Sequence, residues 1–370
     1  MKHIVFLVDQ LHLKGGIERL VAMKANYWSE EFGYKVSIIS TEQKKQAYSF
    51  ELSPQVDFID LGINYHRDIS YFHPKNLIKL TQNIFKLRRE LKKLTPSHII
   101  VASHIPITYV INFMKGDAKT IKEYHFTKFF RAKKRSLKQK IEERIESLYD
   151  FNVVLSEEEK TYHRTNNLIA IPNPIEINSN FKVDFNQTNK MLFVGRIAEV
   201  KNLEDMVDIW ALFIKRYPKW ILDIYGDDQN QYASKIKDKI EKLGASKNII
   251  LKGNINNPNE VFNEYEALLL SSHQECFPMV ILEANAHGLP VISFDSPTGP
   301  RNMIIHNKNG FLVPLYNKEI FVDILVKFAE NPNFKQQHFS NVIKQAKYFD
   351  IKNIMLRWKN DILERSEPMP

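Results

Sequence analysis

A single cysteine, Cys276, occurs in the 370 residues, so no disulfide can close within them, and the usage suits a reducing compartment. Long apolar runs are missing as well. The most apolar long window, residues 99–114, is interrupted by Ser103, His104, Pro106, Thr108 and Asn112, and does not read as a membrane span. The first residues do not read as a secretory leader, because the apolar run 4–8 is only strand length and Asp9 ends it. Internal repeats and low-complexity tracts are absent. So are the three-glycine dinucleotide fingerprint, zinc-type Cys/His spacing and any nucleic-acid-binding module, so neither a metal nor a cofactor nor a nucleic-acid partner is expected. Acidic residues are in deficit: 43 Asp and Glu face 52 Lys and Arg, a formal net charge of +9.

What is present fits a soluble globular chain of two ordinary domains, with 44% hydrophobic and 26% charged residues. The positive charge is uneven. Between Lys115 and Arg144 eleven cations stand against Asp117, Glu123, Glu142 and Glu143, and residues 86–93 (KLRRELKK) form a second basic run. Such clusters are either solvated helix faces or contacts with an anionic surface, nucleic acid or acidic lipid. Phe126, Phe129 and Phe130 sit beside Lys133, Lys134 and Arg135. Aromatics among cations on one segment suit a helix lying on a bilayer, so an anionic membrane surface is an expected partner.

Short apolar runs alternate with helical periodicity throughout, the pattern of α/β domains. One stretch carries two carboxylates. The apolar run 267–270 reads as a strand buried on both faces; Glu275 follows in a polar turn, and Pro278 opens a helix that holds Glu283. The first-turn amides, with Phe277 and Met279 among them, form a site for an anion. A second strand–turn–helix, from residue 191, carries Arg196 and Lys201 in its turn, where two cations can neutralise a diphosphate. Near the start, Gly15 and Gly16 lie between a strand and a helix, where backbone can approach a phosphate closely. His104 and His125 each follow a strand (98–102 and 120–124), placed either to bond a sugar hydroxyl or to be satisfied within their loops. The polar, aperiodic residues 178–189 read as an interdomain linker.

Taken together, ECFPMVILEA with its two glutamates, the VGR and KN pair around Arg196 and Lys201, Gly15-Gly16 with Glu18, and Thr298-Gly299-Pro300 resemble family 4 of the retaining glycosyltransferases. The resemblance implies the GT-B fold: two Rossmann-like domains whose parallel sheets face a central cleft. Residues 1–180 would be an acceptor domain, 190–348 a nucleotide-sugar domain, and 349–370 a helix crossing back to the first. It implies retaining transfer of a sugar from a nucleotide diphosphate donor, a UDP-sugar, to a glycan or lipid-linked saccharide in surface polysaccharide synthesis. The enzyme would be cytoplasmic or peripheral at the inner face of the plasma membrane. Glu283 would hold the ribose, and Glu275 the transferred sugar. Arg196 and Lys201, with the Gly15-Gly16 amides, would hold the diphosphate; His104 would lie near the reacting sugar. Two departures stand out: Pro174 and Cys276 each replace a family glycine. Two alternatives stay open, a sugar-nucleotide epimerase of the same fold and a non-catalytic basic binding protein.

Overall fold

The computed structural model describes residues 1–71, 73–103, 105–130, 137–177, 185, 187–255 and 260–365. Most of the expected linker (178–184 and 186) and the tail 366–370 lie outside the described residues. Two compact units emerge, one of residues 1–172 with 354–370, the other of residues 173–353.

In the first unit, β1 (His3–Val8), β2 (Lys35–Ser40), β3 (Val56–Asp60), β4 (His98–Val101), β5 (Lys119–Glu123), β6 (Phe151–Val154) and β7 (Leu168–Ala170) form one sheet. The strand order is β3-β2-β1-β4-β5-β6-β7, with every pairing parallel. All six residues of β1 are buried, as a central parallel strand covered on both faces requires. Because successive strands build outward from β1 in opposite directions, the carboxyl ends of β1 and β4 flank a topological switch point, where α/β sheets open a crevice. Helices α1 (Gly16–Glu30), α2 (Pro74–Leu94), α3 (Leu137–Glu146) and the single turn α4 (Glu157–Lys160) complete the connections. Leu87 and Leu91 of α2 pack on Val5, Leu7, Ile99 and Val101 of the sheet.

The second unit repeats the plan with β8 (Lys190–Val194), α5 (Leu203–Ile214), β9 (Ile221–Tyr225), α6 (Gln231–Lys242), β10 (Ile249–Gly253), β11 (Leu268–Leu270), α7 (Met279–Ala286), β12 (Val291–Phe294), β13 (Gly310–Val313), α8 (Lys318–Glu330) and α9 (Phe334–Tyr348). Its sheet runs β10-β9-β8-β11-β12-β13, again parallel, so its switch point lies between β8 and β11. The last helix, α10 (Ile351–Trp358), continues as a π turn over Lys359–Leu363. Its residues from 354 onward belong to the first unit, where Ile354, Met355, Trp358 and Ile362 are buried and the Trp358 ring lies 5.6 Å from that of Trp28. Where the chain enters and leaves the second unit, Ile175 and the 349–351 segment are joined by two backbone bonds of 2.9 Å.

Local details depart from expectation in two places. Pro278 caps α7 from outside and does not supply its first residue. Helix α6 was not anticipated, because half of its residues are charged and only Ala233, Ile236 and Ile240 are buried; Asn230 caps it by accepting from the Ala233 N–H at 2.9 Å. Among the described residues, no helix is long and apolar enough to cross a membrane.

Candidate functional site

At the switch point of the second sheet, β8 delivers Arg196 and Lys201 and β11 delivers Glu275. A short 3-10 turn, Glu199–Lys201, lifts Lys201 over the strand end, and its ammonium meets Glu275 Oε1 at 2.6 Å. Ser272 Oγ donates to the same oxygen at 2.7 Å. Both partners are largely enclosed, with 18% and 11% of their side chains exposed. Arg196 is exposed and, among the described residues, has no acidic partner. The site therefore holds one compensated cation and one uncompensated cation at the mouth of two adjacent parallel strands, an arrangement that attracts an anion.

The turns after β8, β11 and β12 are fastened to one another. The Ser271 hydroxyl donates to the Lys201 carbonyl at 3.0 Å, and the His273 N–H to that of Val200 at 2.9 Å. Glu275 exchanges backbone bonds with the next turn: its N–H donates to Pro297, and its carbonyl accepts from Thr298 and Gly299. Gly299 is there because of space. A Cβ at this position would lie 2.6 Å from Pro278 Cδ, 3.0 Å from Glu275 Cβ and 3.1 Å from the Cys276 carbonyl. Gly226 is excluded from carrying a side chain for the same reason, with the Gly195 carbonyl 2.2 Å from its would-be Cβ. Replacing Gly299 by alanine is expected to cost about 1–3 kcal/mol through overpacking, seen as a lowered Tm. An unchanged Tm would show that the two turns separate freely.

Glu283 lies on the buried face of α7 and is 7% exposed. Phe277 is buried with its ring edge-on to Phe349 at 5.8 Å, while Met279, the first residue of α7, is half-buried. The first-turn amides of α7 have no carbonyl one turn back within the helix, so this end carries partial positive charge beside Glu275. The thiol of Cys276 is half-buried in the same turn.

In the first unit, Gly15 is the extended residue that caps α1 and Gly16 its exposed first residue. Glu18 bonds Gln10, and burial pushes its carboxyl above the ordinary carboxylate range, reinforced by nearby Asp9. Sequence reasoning missed the polar cluster beside it. Arg67 binds Asp9 and Glu42 at 2.8 Å each, and the Ser103 hydroxyl donates to Asp9 at 2.9 Å. These residues come from the carboxyl ends of β1, β2 and β4 and from the loop after β3, segments up to 94 positions apart. Only the weak local signal of polar residues directly after each strand was available to find them.

His104, Lys133, Lys134 and Arg135 lie outside the described residues. His125 is turned inward: its Nε2 lies 3.0 Å from Glu123 Oε2, and 7% of its side chain is exposed. Several cations of the basic segment also have internal roles. Lys115 pairs with Asp150 and Lys128 with Glu146, each at 2.5 Å; Lys119 donates to the Arg365 carbonyl at 2.7 Å. Lys122 is buried over the Tyr124 ring, and burial lowers its ammonium to about 8. Among the described residues, no group of three or more His, Cys, Asp or Glu could hold a metal ion.

Two family models match the chain: Glycosyltransferase Family 4 over residues 14–179 and Glycosyl transferases group 1 over residues 175–347. An uncharacterized glycosyltransferase of Haemophilus influenzae is 27% identical over 370 residues, covering 97% of this chain and 99% of that protein. The amylovoran biosynthesis glycosyltransferase AmsD of Erwinia amylovora is 21% identical over 98% of this chain and all of its own length (100%). A solved structure of a mutant S. aureus TarM with fondaparinux, alpha-GlcNAc-glycerol and UDP superposes with a TM-score of 0.78 at 15% identity, covering 97% of this chain and 99% of that one, a likeness of fold.

Proposed function

Because the chain belongs to the GT-B glycosyltransferases of the Family 4 and group 1 type and acts in polysaccharide biosynthesis, we propose that it transfers a sugar from a UDP-sugar, with retention, to a glycan or lipid-linked saccharide. The observation that carries this reading is the Lys201–Glu275 pair at the β8/β11 switch point, with the exposed Arg196 in the same turn as Lys201 and without an acidic partner among the described residues. A diphosphate entering there meets two cations and the amides that open α7; Lys201 and those amides are held before the ligand arrives, so little of their reorganisation is needed as charge develops. The UDP in the TarM complex favours that nucleotide.

In this reading Arg196 and Lys201 bind the diphosphate oxygens. Glu275, oriented by Lys201 and Ser272, accepts from hydroxyls of the transferred sugar, and Glu283 accepts from the ribose. Gly15, Gly16 and His104 are proposed as ligand-facing on the resemblance alone. In the transfer step the bond between the anomeric carbon and the diphosphate oxygen breaks, and the acceptor oxygen bonds that carbon on the same face. The acceptor proton passes to the departing diphosphate. Charge compensation is assigned to side chains and amides, with no metal ion invoked.

A panel of UDP-, GDP- and ADP-sugars scored by thermal shift and by slow donor hydrolysis tests the reading. UDP-sugars are expected to raise Tm and to release UDP and free sugar with the anomeric configuration kept. Stabilisation by another nucleotide would replace the donor. An isomerised sugar formed without acceptor would favour the epimerase, and a panel without any response would end the proposal.

A further inference from the structure

Helix α2 presents an outward face that nothing in the donor site uses. Its buried side carries Asn76, Asn83, Leu87 and Leu91. On the opposite side Ile78 is 63% and Phe85 71% exposed. Ile78 and Phe85 are seven residues apart, hence within about 20° of one another around the axis. Cations flank this ridge on both sides: Arg89, Lys93 and Lys75 on one, Lys92 and Arg88 on the other. The remaining two cations of α2 turn back to the protein, Lys79 to the Ile63 and Asn64 carbonyls and Lys86 to the Leu61 carbonyl. Among the described residues only Glu90 opposes the five outward ones, and it is shared between Arg89 and Lys93.

We propose that the outer face of α2 docks this protein on an anionic lipid bilayer, with Phe85 and Ile78 entering the acyl boundary and the five flanking cations on the headgroup phosphates. An apolar ridge centred between two basic borders is the pattern an interfacial helix needs. The charge selects this occupant over others. A second copy would bring the same excess of cations against itself, and like charges at that density repel. A nucleic-acid backbone would use the cations but gain little from the two large apolar side chains between them. The face also accounts for the basic run at residues 86–93, which the donor site leaves unexplained, whereas four cations of the 115–144 segment have internal partners or are buried.

Co-sedimentation of the full chain with phosphatidylcholine vesicles, with and without phosphatidylglycerol, tests this without any sugar donor, so its outcome is separate from the donor-site reading. The parent is expected to bind only the anionic vesicles, and less at high salt. The double variant Arg88→Gln, Arg89→Gln should lose affinity by about fivefold for each cation removed. Phe85→Ser should lose roughly tenfold with charge unchanged, and both variants should keep the parent's hydrolysis rate on free sugar nucleotide. The proposal is overturned by absence of binding at low salt, by variants that bind as the parent does, or by loss only when Lys133, Lys134 and Arg135 are reversed. Binding to RNA in preference to vesicles, indifferent to Phe85→Ser, would overturn it in favour of a nucleic-acid face.

Discussion

Lys201→Ala is expected to lower kcat by about 10²–10³-fold, the loss typical of removing one preorganised electrostatic group that acts on developing charge. The ammonium does two things at once. It supplies positive charge where the diphosphate would depart, and at 2.6 Å it holds Glu275, whose side chain is 11% exposed. Without it, Glu275 keeps the Ser272 hydroxyl on Oε1 but, among the described residues, no cation, and a carboxylate without a counterion would face an incoming dianion. Repulsion then adds to the missing attraction. Lys201→Ala combined with Glu275→Gln should therefore fall short of the sum of the two single losses, since the residues act as one unit. Arg196→Ala, at an exposed position with no acidic partner among the described residues, should cost less, about 10–100-fold in kcat/KM with a clear rise in KM. Steady-state kinetics on whichever UDP-sugar the panel identifies would measure all four variants. If Lys201→Ala, correctly folded, turned over within threefold of the parent, the assignment of the diphosphate to this turn would be lost.

How much of this was open to inspection in the sequence depends on the range of the interaction. The parallel strands were legible because burial on both faces makes each a contiguous apolar run closed by a polar turn. β11 is only three residues long, yet it stood out by this rule. Arg196, Lys201, Glu275 and Glu283 were legible for a related reason: each lies in the turn or first helix after such a run. What no local pattern contained was pairing across strands. The Asp9, Glu42 and Arg67 cluster joins three separate connections. The charge excess of residues 115–144 likewise gave no sign that Lys115 and Lys128 have buried or half-buried partners further along the chain. Net charge is a sum over residues, and geometry decides which of them face water. Helix α6 escaped because its apolar positions are few, and propensity alone is a weak guide in a charged segment.

The same cross-strand logic gives the largest expected effect on stability. Lys24 of α1 and Glu123 at the end of β5 meet inside the first unit, with the ammonium 2.5 Å from both carboxylate oxygens. Their side chains are 4% and 3% exposed, and the ammonium also sits 4.8 Å above the Trp358 ring. Glu123→Gln should destabilise the protein by about 3–5 kcal/mol, because it leaves a buried cation without its counterion. Pairing it with Lys24→Met should recover most of that loss, since the cost lies in the stranded charge. The pair also sets an acid limit. Burial alone would raise the Glu123 carboxyl, but Lys24 and then His125 outweigh it and hold it down at about 2, against an ordinary value of 4.5. The folded-state value is the lower one, so the pair's contribution is complete above about pH 4.5 and is lost as pH falls from there toward 2. Denaturant melts of the parent and of Glu123→Gln should therefore differ by a constant gap at neutral pH and converge through that window. A gap that stayed constant down to pH 3 would mean the carboxylate is not what holds Lys24 in place.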